Sequence, residues 1–321
     1  MKKLSVFVAA LSLALVFAAP AWATYPGKAG PLVYSKSNSS ELGTTGGLVS
    51  HGPRVSQKPV ALTTVPYDSM PFFSADGRKI VFARDPDLLA AGSSIFIMNS
   101  DGSGAKQLTS GPRLDGNPTI SPDGEVVVFD RYEPGNNRSH LWSVKVDGTG
   151  LTQLTSGSDD ESEPVFTPSG KRIVYTGNAD QDARSDHSDI WAMAADGSNP
   201  KVLVDGVRDE SEADVSPNGR SIVFSSNRNH GPNLFIANAK GKRVRPVTRN
   251  KGDCFRGRCY LTPVFSPDGK HLASTGGGRY SDSLTVMKLD GSQQKTFDSG
   301  GTEEEGYGTH IGAPAWGPAP R

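Results

Sequence analysis

Short apolar runs alternate with glycine-containing turns along most of the chain. A segment of the form Pro-x-Phe-Ser-Pro-Asp-Gly, with small variations, precedes an apolar run in five places. These segments are residues 71–77, 118–124, 164–170, 213–219 and 263–269. Their closing glycines lie 47, 46, 49 and 50 residues apart, so the pattern is an internal repeat and not a chance similarity.

Each period contains four short apolar runs, which predict four β-strands. An Asp-Gly pair, or another residue followed by glycine, joins the first run to the second and the third to the fourth. Such pairs favour tight hairpins because glycine accepts a positive φ. Four antiparallel strands in about 45–50 residues is the size of one β-propeller blade.

The two ends of the chain supply a sixth blade. Residues 314–318 match the first strand of the repeat, and residues 31–34 match its second strand. Residues 47–50 and 60–63 match the third and fourth strands. The sequence therefore predicts an all-β fold, a six-bladed propeller of four-stranded antiparallel blades. Pairing of the N- and C-terminal strands in one blade closes the ring and removes an exposed sheet edge.

The first 23 residues have the pattern of a secretory signal peptide. Lys2 and Lys3 precede an apolar stretch over residues 4–19, and Ala-Trp-Ala at 21–23 fits a small-x-small cleavage site. The alternative is an N-terminal membrane anchor, for which the apolar stretch is short. We expect residues 1–23 to be removed and residues 24–321 to form one propeller domain. This domain would be periplasmic or secreted, with no remaining membrane span.

Composition agrees with this fold and narrows the choice of partner. The 321 residues include 37 Gly and 23 Pro, which is too many turn formers for a helical bundle. The 34 basic residues equal the 34 acidic residues, so no nucleic-acid partner is expected. Closed propellers are commonly monomeric, and we expect a monomer.

The two cysteines, Cys254 and Cys259, lie on either side of Gly257, which permits a tight bend. In an oxidising compartment this spacing favours a local disulfide that fixes one loop. A metal half-site and a redox pair are the alternatives. Both lack the C-x-x-C spacing and the second cluster that such sites usually have.

The repeat resembles the TolB-type, WD40-like repeat called PD40. The resemblance rests on the pattern PxFSPDGxxIxF followed by IFxMNxDGSGxxxLT, and its copies extend over residues 24–321. It implies an exported six-bladed scaffold. We expect the α/β domain that precedes the propeller in TolB to be absent here, which counts against TolB's own place in the Tol-Pal system.

The loops between second and third strands, and the crossovers between blades, are longer and less regular than the hairpins. They include residues 84–94, 131–140, 177–189 and 250–261. Function tends to be located in irregular loops that a rigid scaffold holds in place. We therefore expect an envelope or secreted protein or peptide to bind this face and the mouth of the central channel.

Acidic residues gather just before the first strand of several repeats, where a propeller narrows to its channel. They predict a negative mouth that binds a basic peptide or holds a cation, and the alternative is a set of solvated loops. No motif requires a cofactor, but oxygen ligands would select Ca²⁺ over Zn²⁺ in the channel. The candidate binding residues are Asp115, Glu161, Glu163, Glu210, Glu212, Glu305, Arg131 and His310.

Catalytic motifs are missing from the sequence. It contains no G-x-S-x-G elbow, no phosphate-binding loop and no H-E-x-x-H, so we expect a non-enzymatic binding protein. The alternative is a metal-dependent polysaccharide lyase or hydrolase that uses loop histidines, such as His140 and His310, with Arg131. The plainer interpretation is that these histidines are exposed loop residues, because they have no fixed ligand spacing.

Overall fold

The chain is all β in every part that the structure describes. This computed structural model describes residues 27–40, 43–52, 57–86, 92–135, 137–178, 187–206, 208–228, 231–250, 260–278, 281–299 and 309–319. Among the described residues, no helix has the length and apolarity that a membrane crossing requires.

Within these ranges, 24 strands form six antiparallel sheets of four strands, and each sheet is one blade. Blade 1 contains β24 (Thr309–Pro318), β1 (Ala29–Ser40), β2 (Gly43–His51) and β3 (Val60–Ala61). Blade 2 contains β4 (Asp68–Phe73), β5 (Lys79–Arg84), β6 (Ser94–Asn99) and β7 (Lys106–Gln107). Blade 3 contains β8 (Leu114–Ile120), β9 (Val126–Glu133), β10 (Arg138–Lys145) and β11 (Thr152–Gln153).

The other three blades follow in chain order. Blade 4 contains β12 (Asp160–Phe166), β13 (Arg172–Asn178), β14 (Asp189–Ala194) and β15 (Lys201–Val204). Blade 5 contains β16 (Glu210–Val215), β17 (Ser221–Ser226), β18 (Asn233–Asn238) and β19 (Arg245–Pro246). Blade 6 contains β20 (Leu261–Phe265), β21 (His271–Gly278), β22 (Ser281–Lys288) and β23 (Lys295–Ser299). In each blade the first strand named lines the central channel.

The Asp-Gly turns form the hairpins that the sequence predicts. In blade 2, Gly77 has a φ of 69°, and its N–H donates to the carbonyl oxygen of Ser74 over 2.9 Å. The Ser74 hydroxyl donates to Asp76 over 2.7 Å. In the second hairpin of the same blade, the N–H of Ser103 donates to Asp101 over 2.9 Å. Each aspartate therefore stabilises its own turn by accepting local hydrogen bonds.

The hydrophobic core lies between neighbouring blades. One cluster brings Val81 and Ile95 of blade 2 against Val127 and Phe129 of blade 3, and all four side chains are buried. The second strand of a blade is covered on both faces, which explains why it appears in the sequence as a continuous apolar run.

The ring closes in blade 1 as the sequence predicts. Strand β24 pairs antiparallel with β1, which places Ala315 opposite Val33 and Trp316 opposite Leu32. The indole N–H of Trp316 donates to the carbonyl oxygen of Gly30 over 3.2 Å. The C-terminal strand is thus the innermost strand of a blade whose other three strands come from the N-terminal part of the chain.

Strands β1 and β2 are longer than their apolar patterns predict. The predicted strands cover residues 31–34 and 47–50, but the pairing continues through polar residues to Ser40 opposite Gly43. Backbone hydrogen bonds do not require apolar side chains, so an apolar run underestimates the length of such a strand.

Three sequence predictions lie wholly or partly outside the described residues. They are the signal peptide over residues 1–23, the disulfide between Cys254 and Cys259, and the extent of the propeller domain over residues 24–321. These stay predictions.

Removing residues 309–321 should destabilise the whole ring. The deletion takes away β24 and exposes the apolar face of β1, including Val33. We expect the midpoint of thermal unfolding to fall by at least about 10 °C, since several kcal/mol of packing is lost. Removing residues 320–321 is the matched control. Equal unfolding midpoints for both deletions would show that closure by β24 contributes little.

Candidate functional site

The inner strands present a ring of side chains to the central channel. In five of them, one residue at a β-bulge has a left-handed backbone, with φ between 45° and 55°. Such a conformation is unusual for a residue with a side chain, and surrounding structure must hold it. These residues, which we call the channel ring, line a narrow cavity of about 120 Å³. They are Met70, Asn117, Glu163, Glu212 and Thr262.

Hydrogen bonds that pass from blade to blade hold the channel ring. The backbone N–H of Glu163 donates to Oδ2 of Asp130 over 2.9 Å. The N–H of Glu212 donates to Oε2 of Glu163 over 2.7 Å, and the N–H of Thr262 donates to Oε2 of Glu212 over 2.8 Å. Each carboxylate thus stabilises the left-handed residue of the next blade.

Burial changes the acidity of two carboxyl groups at the channel. It raises the pKa of Glu212 from 4.5 to about 7, and the charge of Glu163 adds to this effect. Burial also raises the pKa of Asp130 from 3.8 to about 6, with smaller contributions from the charges of Glu163 and Asp115. Hydrogen bonds from Asn117 and the Glu163 N–H oppose the change at Asp130.

Asp115 lies at the channel mouth, but its carboxylate is buried and bound inside the protein. Its carboxylate accepts two hydrogen bonds from Arg131, over 2.6 and 2.8 Å, and one from the Thr109 hydroxyl over 2.5 Å. The Arg131 guanidinium also lies over the rings of Trp142, at 4.9 Å, and Phe129, at 5.4 Å. Both charged residues are almost fully buried. We call an ion pair at this position of a blade a clasp.

Other blades have a clasp at the same position. In blade 2, Asp68 accepts two hydrogen bonds from Arg84, over 2.6 and 2.8 Å. In blade 5 the acid Glu210 has the same position, but Ser226 lies opposite it and the cation comes from Arg228, two residues further along. Arg228 lies 2.7 Å from Glu210 and 5.1 Å from the centre of the Phe235 ring. Asp68 is absent from the sequence-based candidates, although it has the same place before Pro71 that Asp115 has before Pro118.

Blade 4 replaces the arginine with a histidine from the preceding blade. Gly177 occupies the arginine position, and a Cβ there would lie 2.8 Å from the Trp191 ring. Glu161 instead contacts Nδ1 of His140 over 2.9 Å and accepts a hydrogen bond from the Thr155 hydroxyl over 2.9 Å. Burial raises the pKa of Glu161, and the His140 contact opposes that change.

The structure separates the predicted site residues into distinct groups. Asp115, Arg131, Glu161 and Glu210 belong to buried clasps, so internal contacts already occupy their charged groups. Glu163 and Glu212 lie together in the channel ring. The third group contains His310, which is half exposed with Nδ1 3.4 Å from Oδ2 of Asp282, and Glu305, which lies outside the described residues.

A second cavity opens where blades 1, 2 and 3 meet, on the side of the crossovers. This mouth cavity has a volume of about 440 Å³ and is lined by residues of β1, β4, β8 and β9, among others. Two apolar side chains in it are exposed, Met70 at 37% and Leu114 at 44%. Tyr67, Tyr132 and the carboxyl group of Asp130 also line it. Asp115 is the lining residue that belongs to the candidate binding residues of the sequence, and Asp85, Ser93 and Tyr132 belong to the irregular loops that the sequence favours as the binding face.

The described residues do not by themselves make a metal site. In those ranges, no group of three or more His, Cys, Asp or Glu residues is arranged to hold a metal ion. The Ca²⁺ ion that the acidic sequence pattern suggests for the channel stays a prediction.

Replacing Asp115 with Asn should destabilise the fold strongly. The change leaves the Arg131 guanidinium buried without its counter-charge, which typically costs about 3–5 kcal/mol. Urea unfolding of Asp115→Asn would measure this loss. The exposed Glu125 gives a matched control, because Glu125→Gln should change stability by less than about 0.5 kcal/mol. A cost below about 1 kcal/mol for Asp115→Asn would contradict a structural role for the clasp.

The raised pKa of Glu212 predicts a pH-dependent contribution to stability. The folded chain favours the protonated carboxyl, so this contribution is fully present below about pH 4.5 and is lost as the pH rises through about 7. Glu212→Gln should therefore raise the unfolding midpoint relative to the parent chain at about pH 8 and leave it nearly unchanged at about pH 4. Thermal unfolding at both pH values tests this, and a constant difference between the chains would refute it.

Comparison with known proteins identifies the repeat. Residues 56–185 match the family PD40, described as TolB beta propeller domain. A segment of 56 residues is 45% identical to the Tol-Pal system protein TolB of Rhizorhabdus wittichii. That segment is 17% of this chain and 12% of the relative, so the match spans a small part of the relative's length.

Solved structures resemble most of the propeller. TolB from Acinetobacter baumannii matches with a TM-score of 0.68 and 17% identity, over 90% of this chain and 67% of that chain. An oligogalacturonate lyase in complex with manganese matches with a TM-score of 0.51 and 14% identity, over 86% of this chain and 74% of that chain. Likeness at these identities shows the fold alone. Residues 56–185 thus match the PD40 repeat family, and the described residues form a six-bladed β-propeller similar to that of TolB.

Proposed function

We propose that this protein is an exported, non-enzymatic scaffold that binds a protein partner at the mouth cavity. The observation that carries the proposal is the exposure of Met70 and Leu114 in a cavity on the side of the irregular loops. Methionine and aromatic residues are enriched at protein interfaces, and binding energy is concentrated where such residues fill a concave surface.

The charge at the mouth supports a partner with a basic group. The acids of the arginine clasps are already paired with their own guanidinium groups, as in the Asp115–Arg131 pair. Asp130 lines the mouth cavity, and Glu163 and Glu212 line the adjoining channel. These three residues carry the acidic character of the surface that a partner would meet. Complementary charge of this kind speeds association and selects among partners.

The comparisons support an envelope partner. The relative that matches over 56 residues is named as a protein of the Tol-Pal system, and the N-terminal 23 residues have the pattern of an export signal. We therefore propose that the partner is an envelope or secreted protein and that this chain works in the periplasm or outside the cell.

The geometry favours binding over polysaccharide cleavage. The lyase alternative requires accessible histidine and arginine side chains. Arg131 and His140 are buried and paired with acids, and of the three residues named for this chemistry only His310 is accessible. The likeness to an oligogalacturonate lyase concerns the fold alone.

A photo-crosslinking residue at position 114 should capture the partner. Leu114 and Leu151 are almost equally exposed, at 44% and 45%, but Leu151 lies just before the outer strand β11, away from the cavity lining. We expect p-benzoylphenylalanine at position 114, and not at position 151, to give a discrete crosslinked species in cells. Mass spectrometry would then identify the captured protein.

The matched positions make the result decisive. Capture of the same protein from both positions would show adhesion without a preferred face. Capture from position 151 alone, or from neither position, would contradict the proposed binding site.

A further inference from the structure

We propose that the mouth cavity receives a lysine side chain of the partner and that its ammonium group binds Oδ1 of Asp130. The inference rests on the proposed function, because it assigns the chemistry of one contact inside the same cavity. It is carried by the unused hydrogen-bonding capacity of a buried carboxylate.

Asp130 is buried but has one oxygen without a partner. The residue lies on β9, is only 8% exposed and lines the mouth cavity. Its hydrogen bonds from Asn117 Nδ2, over 2.8 Å, and from the Glu163 N–H, over 2.9 Å, both go to Oδ2. Within the described part of the chain, Oδ1 accepts no hydrogen bond. Oδ1 is not among the fully buried unpartnered atoms of these residues, so a ligand donor that enters the cavity can reach it.

The charges around Asp130 also favour a cation at Oδ1. Arg131 is the next residue along the strand, but its guanidinium is bound to Asp115 over 2.6 and 2.8 Å. The nearby acids Asp115 and Glu163 act with burial to raise the pKa of Asp130 to about 6. A bound ammonium group would supply the positive charge that this surrounding lacks.

The single unpaired oxygen of Asp130 and the apolar lining of the cavity favour lysine over arginine. A single free oxygen suits a compact ammonium group, whereas a guanidinium group binds best to both oxygens of a carboxylate. The exposed side chains of Met70 and Leu114 line the same cavity and would contact the apolar stem of a lysine.

Gly116 keeps the approach to Asp130 open. A Cβ at this position would lie 3.0 Å from Asp130 Oδ1 and 3.5 Å from Met70 Sδ. Any larger residue would therefore occupy the space through which a ligand reaches the free oxygen. This arrangement places the Met70 methyl group where it can report binding.

The test is a titration of the purified protein, with ¹³C-labelled methionine methyl groups, with Nα-acetyl-lysine N-methylamide. Its matched control is Nα-acetyl-norleucine N-methylamide, which keeps an apolar stem and lacks the ammonium group. We expect saturable movement of the Met70 signal, identified with Met70→Leu, and binding of the lysine probe at least about tenfold tighter than the norleucine probe.

Two variants separate the contact from general effects on the fold. Asp130→Asn keeps the side-chain volume but removes the charge, and Gly116→Ala keeps the carboxylate but blocks its free oxygen. Both should reduce the preference for the lysine probe by about tenfold. Unfolding midpoints would show whether each variant is folded. If Asp130→Asn does not fold, the lysine preference of Gly116→Ala alone tests the contact.

Several results would overturn the assignment. They are equal responses to the lysine and norleucine probes, an equal or stronger response to a third probe, Nα-acetyl-arginine N-methylamide, and an equal response to glycinamide, which offers an α-ammonium group without a stem. A crosslink from position 114 together with any of these results would retain the binding face and reject the lysine contact.

Discussion

A buried carboxylate at the start of an inner strand is the contact on which the arrangement of the crossovers depends. In blade 3, Asp115 binds Arg131 of the neighbouring strand and Thr109, which follows the outer strand of the preceding blade. One side chain thus joins two blades where the chain crosses between them. Leaving either charge buried alone would cost several kcal/mol, so the pair fixes how the two strands and the crossover meet.

The clasp is maintained although its residues change from blade to blade. In blade 4, Glu161 contacts His140 because Gly177 replaces the arginine. The clasps keep their acids inside the scaffold, while the channel ring and Asp130 lie along the channel and at its mouth. Scaffold and proposed site therefore use neighbouring carboxylates for different purposes.

Much of the fold could be predicted from the sequence, because five copies of one turn define strands, hairpins and blade number. The acidic residues before the inner strands could also be recognised in the sequence, but their pairing with Arg131, Arg228 and His140 could not. Asp68 and Arg84 are separated by the same 16 positions as Asp115 and Arg131, and this shared spacing was the available signal. Asp130 carries no such signal, because its place in β5 is occupied by Ala83. Only the folded register brings its carboxyl group to the cavity.

The coupling free energy between Asp115 and Arg131 measures how strongly this clasp holds the crossover in place. Urea unfolding of Asp115→Asn, Arg131→Met and the double variant would give it as a double-mutant cycle. We expect a coupling of at least about 2 kcal/mol, with the double variant more stable than the sum of the single losses implies. Additive losses, within about 0.5 kcal/mol, would contradict it and return these acids to the list of candidate binding residues.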